Sequence, residues 1–279
     1  MRLARAISRA GLASRREAER WIVDGRVEVA GETVRHPGTV VDPDADDIRV
    51  DGKPLPPPPR RVYLLLYKPK GTITTREDPQ GRKTVFELVD LPERVEAVGR
   101  LDYNTEGALL LTNDGDLAHA LTHPSSRVPK RYLAKVWRTP DERTLERLRR
   151  GVQLDDGRTA PAKVRVAEQT DTGNAWVELT VTEGRNLLVR RMMQAVNHPV
   201  SKLRRESFAT ISIRGMERGE VRELTGEEVA RLEDIAGGVQ PRKAGHEFRY
   251  KKGFARPKQR RNKPLSRKKS APRKRSKKG

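Results

Sequence analysis

"GRLDYNTEGALLLTNDGDLAHALTH", residues 99–123, runs through a loop, a short apolar stretch, a turn and an amphipathic stretch in immediate succession. The apolar "ALLLT" at 108–112 is continuous rather than alternating. It is bounded by Gly107 on one side and by Asn113, Asp114 and Gly115 on the other, so it reads as a strand buried on both faces. "DLAHALTH" at 116–123 then reads as a helix, with Asp116 placed to cap it. The residues before the strand are less ordinary, because Arg100 and Asp102 flank Leu101 on the approach to a buried element. Either they shape a turn, or the turn exists to present Asp102. A loop aspartate beside an arginine is by itself usually a turn former or a surface ion pair.

On either side of this stretch, over residues 62–237, "VYLLLY", "EAVGRL", "RYLAKVW", "AKVRVAEQ", "AWVELTVTE" and "FATISI" carry strand patterns. "DERTLERLRR", "NLLVRRMMQAV" and "GEEVARLEDIA" carry helical ones. Thr139 with Glu142, and Thr225 with Glu228, offer capping boxes to the first and last of these helices. Several neighbouring strands have no helix between them, which predicts an α+β arrangement rather than a doubly wound parallel sheet.

Ahead of this core, "RLARAISRA" sets Leu3, Ala6, Ile7 and Ala10 at helical spacing, and Gly11 can stop the helix. Ser14 and Glu17 form a capping box for a second helix, roughly 15–24, that buries Ala18, Trp21 and Ile22 and leaves Arg15, Arg16 and Arg20 on its open side. "RVEVAGETV" alternates like a strand and turns at Ala30 and Gly31. The proline run within "KPLPPPPRR" is stiff and separates this module, residues 1–55, from the core by a linker at 56–61.

The chain has 59 Lys and Arg against 38 Asp and Glu, a net charge of +21. From Pro241 onward 18 basic residues face the single acid Glu247, so that segment carries +17 and residues 1–240 only +4. Dense like charge, repeated proline and few apolar residues predict a disordered basic tail over 238–279. A polycation of this kind most often binds nucleic acid by releasing counterions from phosphates, although charge alone would also suit a merely solubilising tail.

The absence of cysteine removes thiol nucleophiles, thiolate metal sites and disulfides. Arginines interrupt the apolar positions of the N-terminus and no later run has membrane-spanning length, so a soluble, cytoplasmic protein with no membrane partner is expected. His119 and His123 are spaced as two ligands on one helix face, but Ala120 stands where metalloprotease chemistry needs glutamate. "TNDGD" lacks the later glutamate of a calcium loop, and no Walker loop or dinucleotide glycine fingerprint is present. No metal and no cofactor are expected. Asp102 and Glu106 are four apart in a loop-to-strand segment, which argues against a paired-carboxylate glycosidase.

The Gly-Arg-Leu-Asp, two residues, Thr, one residue, Gly pattern, followed by a leucine run ending in Thr-Asn-Asp-Gly, resembles the central motif of RsuA/RluB-type pseudouridine synthases. "YKPKGTITT" at 67–75, "PKRYLAKV" at 129–136 and "EGRNLLVRRMMQAVNHPVSKLRR" at 183–205 resemble three further motifs of that family, in the same order. Residues 1–55 resemble an S4 RNA-binding domain, in which Arg5, Arg15, Arg16, Arg20 and Arg26 would contact phosphates. The resemblance covers about 1–237. It implies an S4 domain followed by a catalytic domain at 62–237 with a mixed, mainly antiparallel sheet flanked by helices.

For function it implies isomerisation of a uridine in ribosomal RNA, most closely of the large subunit, on RNA or on an assembly particle; a monomer is expected. Asp102 would begin glycosidic cleavage, Arg190 would pair with it, and Tyr132 would stack on the uracil. Arg100, Thr105 and Lys130 would support the substrate. Leu187 and Leu188 replace the polar pair common in the family, so polar contacts there are absent. A small-subunit substrate, or a non-catalytic RNA-binding assembly factor keeping the same fold, remain competing readings.

Overall fold

Residues 1–238 are described by the computed structural model; the expected disordered tail over 238–279 lies, apart from Gly238, outside the described residues. The N-terminal module opens with helices α1 (Leu3–Arg9) and α2 (Arg15–Val23). Glu17 N donates to Ser14 Oγ at 3.2 Å and Ser14 N donates to Glu17 Oε2 at 3.3 Å, so the capping box fixes where α2 starts. Strands β1 (Val27–Val29), β2 (Glu32–Val34), β3 (Ile48–Val50) and β4 (Lys53–Pro54) form an antiparallel sheet in the order β2-β1-β3-β4. Leu3, Ile7, Ala18, Ile22, Val27 and Ile48 close a small core between helices and sheet, with Trp21 only partly buried against it.

The core that follows contains β5 (Tyr63–Lys68), β6 (Glu96–Ala97), β7 (Thr105–Thr112), α3 (Gly115–Thr122), β8 (Lys130–Val136), α4 (Glu142–Arg150), β9 (Gln153–Leu154), β10 (Gly157–Arg158), β11 (Lys163–Gln169), β12 (Ala175–Val181), α5 (Leu188–Gln194), β13 (Val200–Phe208), β14 (Ile211–Ser212), β15 (Val221–Glu223) and α6 (Gly226–Ala236). One large sheet runs β11-β12-β8-β13-β7-β5-β15, with β14 beside β13 and β6 beside β7. Its pairings are antiparallel except that of β13 with β7. This is the mixed, mainly antiparallel sheet of an α+β fold.

The apolar runs of β5 and β7 are continuous because both sheet faces are covered. Leu65, Tyr67, Ala108 and Leu110 pack towards α3 and α6. The alternate residues Leu64, Leu66, Leu109 and Leu111 pack with Val85, Val95 and Leu101 on the other face. Burial of each such leucine contributes about 1.5–3 kcal/mol. Across the sheet, α4 and α5 cover β8, β11, β12 and β13 through Leu145, Leu148, Leu188, Val189, Met192 and Met193.

Some local expectations shift. Asp114, rather than Asp116, caps α3, accepting from Asp116 N and Leu117 N at 3.1 Å. Asp141, rather than Thr139, caps α4 by accepting from Thr144 N at 2.8 Å, because it is the residue directly before the first turn. "EAVGRL" supplies only the two residues of β6, since the chain then turns at Gly99 (φ 72°). "FATISI" spans a hairpin: Phe208 ends β13, Ala209 turns at φ 51°, and β14 begins at Ile211. The central strand β13 itself, "VSKLRRESF", has too many charges to read as a strand.

Candidate active site

The register of the sheet brings distant segments into one row. Tyr132 of β8 pairs with Arg205 of β13, Arg205 with Gly107 of β7, and Gly107 with Lys68 of β5. The Asp102 loop leads into β7 at the end of this row. A cleft of about 500 Å³ opens there, lined by Arg100, Asp102, Thr105, Lys130, Tyr132 and Arg205 together with the apolar Leu187, Leu188, Leu203 and Phe208.

The loop is held from beneath. Lys68 is fully buried, and its ammonium donates to the carbonyls of Pro69 at 3.2 Å, Asp102 at 3.1 Å and Thr105 at 3.0 Å. Thr74 Oγ1 donates to Leu101 O at 2.9 Å, Gly71 N donates to Tyr103 O at 2.9 Å, and Thr105 N donates to Asp102 O at 3.0 Å. The Lys-Pro-x-Gly segment is therefore the floor that shapes the loop. Asp102 itself is half-buried, so its main chain is fixed while its carboxylate reaches the cleft.

Arg205, 2% exposed, donates through Nε to Ala108 O at 2.7 Å and lies 5.2 Å from the centre of the Phe208 ring. Its Nη2 is buried and has no hydrogen-bond partner. Lys130 is half-buried, donates to Val128 O at 2.9 Å and sits 5.6 Å from the same ring. Burial, and secondarily the Arg205 charge, pull the Lys130 ammonium down to about 8. Burial likewise brings Lys68 to about 8, against the opposing pull of Asp102 and Glu106. The floor is thus cationic and poorly hydrated, an environment that attracts an anionic phosphate.

Gly107 is required by the parallel pairing. At φ 118°, a side chain there would bring its first carbon within 2.1 Å of Arg205 O. Thr105, 1% exposed, lines the cleft with its hydroxyl unpartnered.

Arg190 does not form the expected ion pair with Asp102. Its guanidinium donates to Val200 O at 3.1 Å and to Asn104 O at 3.3 Å, so two backbone carbonyls hold it beside the loop. It fastens α5 to the segment that carries Asp102. Arg15, Arg16 and Arg20 are exposed on α2 and are not among the residues lining the cleft. Arg5 pairs with Asp116, and Arg26 pairs with Asp51 at 2.6 Å while lying 4.6 Å from the Trp21 ring. Two residues escaped the sequence reading. Lys68 lies in the Lys-Pro-x-Gly motif and Arg205 ends the arginine-bearing motif at 183–205, where neither local pattern marks the residue as functional.

His119 and His123 meet edge to face at 5.6 Å, and among the described residues no group of three or more His, Asp or Glu side chains is arranged to hold a metal ion. The Asp102 carboxylate, the Tyr132 phenol and the cations of the floor thus face one cleft.

The model of the RNA pseudouridylate synthase family matches residues 62–195, and that of the S4 domain matches residues 1–47. The chain is 44% identical over 237 residues to the ribosomal large subunit pseudouridine synthase B of Bacillus subtilis, covering 84% of this chain and 96% of that protein. It is 42% identical over 234 residues to the protein of the same name in Yersinia pestis, covering 80% of this chain and 72% of that one. A solved pseudouridylate synthase structure superposes with a TM-score of 0.60 at 30% identity, covering 83% of this chain and 99% of that one. An RNA-gripping module joined to this sheet and cleft defines an RNA-modifying isomerase. The chain belongs to the RNA pseudouridine synthases of the RsuA/RluB type.

Proposed function

We propose that this enzyme converts a specific uridine of large-subunit, 23S ribosomal RNA to pseudouridine, with Asp102 as the initiating carboxylate. The observation that carries this reading is that Asp102, Tyr132 and the cationic pair Lys130 and Arg205 line one cleft. The names of the Bacillus and Yersinia relatives support the large-subunit substrate.

The target base leaves its stack, at a cost of a few kcal/mol, and enters the cleft. Asp102 initiates cleavage of the N1–C1′ bond, the uracil turns, and C5 bonds to C1′. The C5 proton departs and N1 gains one, so the reaction is an isomerisation that consumes no cofactor. Tyr132 stacks on the uracil and its phenol assists removal of the C5 proton. Arg190 acts by holding the Asn104 carbonyl and so the loop. Arg100 and Lys130 attract the phosphates of the flipped nucleotide, and Thr105 shapes the wall beside it.

The organisation proposed with this function is an S4 module at 1–55 that grips RNA through Arg15, Arg16 and Arg20, a linker at 56–61, a catalytic domain at 62–237 and a basic tail at 238–279. The protein acts as a cytoplasmic monomer on free RNA or on an assembly particle. Pseudouridine mapping by chemical labelling and primer extension on 23S transcripts and immature particles tests the reading. A stop produced by wild type and not by Asp102→Asn is expected; equal stops from both would reject Asp102, and no stop on either substrate would reject the activity.

A further inference from the structure

Leu187 stands out on the wall of the cleft. It precedes the first residue of α5 with φ 51° and ψ 23°, in the left-handed region, and makes no capping hydrogen bond through its side chain. A branched apolar residue adopts this conformation uncommonly, because its Cβ crowds the backbone. The strain is not offset by burial, since Leu187 is 41% exposed while lining the same cleft as Asp102.

The flanking backbone is clamped on both sides of this residue. Arg185 donates to Asp156 Oδ1 at 2.9 Å, to Gly157 O at 3.0 Å and to Glu183 Oε1 at 3.2 Å. Arg191 forms a two-pronged pair with the same Asp156 at 2.6 and 2.9 Å. Between them, Arg190 ties the first turn of α5 to Asn104, two residues from Asp102. Leu187 is therefore held on the wall of the cleft that Asp102 also lines, with its apolar side chain partly exposed. A strained residue persists only where its surroundings over-determine it, and such residues cluster at sites that engage a ligand.

We infer that Leu187 is an apolar wedge that packs against the RNA base beside the extruded uridine and keeps the vacated stack from closing. The inference rests on the uridine isomerase reading and names the positioning residue that makes base extrusion persist. A uracil drawn into the cleft leaves a gap in its strand, and an apolar side chain inserted between base steps holds such a gap open. Cationic side chains in the cleft hold phosphates, but they do not fill an apolar gap.

The test uses the full-length protein and a 23S stem-loop whose uridine the wild type modifies. Leu187→Gly removes the wedge and relieves the left-handed strain, so its melting temperature is expected to equal or exceed that of wild type. Its single-turnover rate on the stacked uridine should fall about tenfold or more while RNA affinity changes less than about twofold. On the same stem-loop with the target uridine displaced into a bulge, the loss should shrink to less than about threefold, and Leu187→Met should restore most of the rate on the stacked substrate. In an Asp102→Asn background, 2-aminopurine beside the target should brighten on binding, and adding Leu187→Gly should abolish the change. Unaltered rates with Leu187→Gly, or an equal loss on stacked and bulged substrates, would overturn the wedge. Absence of pseudouridine with wild type would instead overturn the reading beneath it.

Discussion

Lys68 sits under the Asp102 loop with no exposure to solvent and directs its ammonium at three backbone carbonyls, while the Asp102 carboxylate above is left accessible. Replacing Asp102 by asparagine keeps the size and the loop bonds, so stability should change by less than about 0.5 kcal/mol. The pseudouridine rate should drop by roughly 10³ or more, as single-turnover assays would show. Lys68→Met leaves buried carbonyls without a donor and should lower stability by about 2–4 kcal/mol in urea unfolding, with activity falling as the loop loosens. Lys68 and Lys130 also set a pH dependence. Both have folded values of about 8 against an ordinary 10.5, so between these limits the unfolded chain holds more protons. Stability contributed by these two groups therefore rises as pH goes from about 8 to 10.5, and the rise should be smaller in Lys130→Met when urea midpoints are compared across that window.

Strand β13 decides the site at the level of elements. It inserts between β8 and β7, and its parallel pairing with β7 sets Arg205 opposite Gly107. No other residue type fits at 107, because the added carbon would overlap the Arg205 backbone at 2.1 Å. Gly107→Ala should break this pairing, costing about 3 kcal/mol or more and lowering the melting temperature well beyond the effect of a surface change. Ser14→Ala, which removes only a cap of α2, should cost about 1 kcal/mol and leave the cleft chemistry intact. Comparing the two melting curves separates a strand-register requirement from an ordinary helix-end effect.

For the whole molecule, charge is divided between a nearly balanced body and a basic C-terminal segment, +4 over residues 1–240 and +17 beyond. Within the described residues, the N-terminal module meets the core through ion pairs of Arg5 with Asp116 and of Arg94 with Glu17, the latter at 3.5 Å. Removing residues 241–279 should weaken RNA binding and flatten its dependence on salt, because fewer phosphates are neutralised, while single-turnover chemistry at saturating RNA stays within about twofold. An unchanged slope in log Kd against log salt would refute that division. Much of the architecture was legible in local pattern: the capping box at Ser14 and Glu17 and the two-faced apolar runs of β5 and β7 each record their role within a few residues. The sequence by itself determined most of the elements, the charge division and the motif that carries the aspartate. Only the tertiary structure decided that Tyr132, Arg205, Gly107 and Lys68 form one row, that Arg190 grips Asn104 rather than Asp102, and that Leu187 is held on the wall of the cleft. The reason is physical: hydropathy reports whether a segment is covered, whereas strand register and the competition of backbone carbonyls for a buried cation depend on partners tens of residues away, which no local pattern encodes.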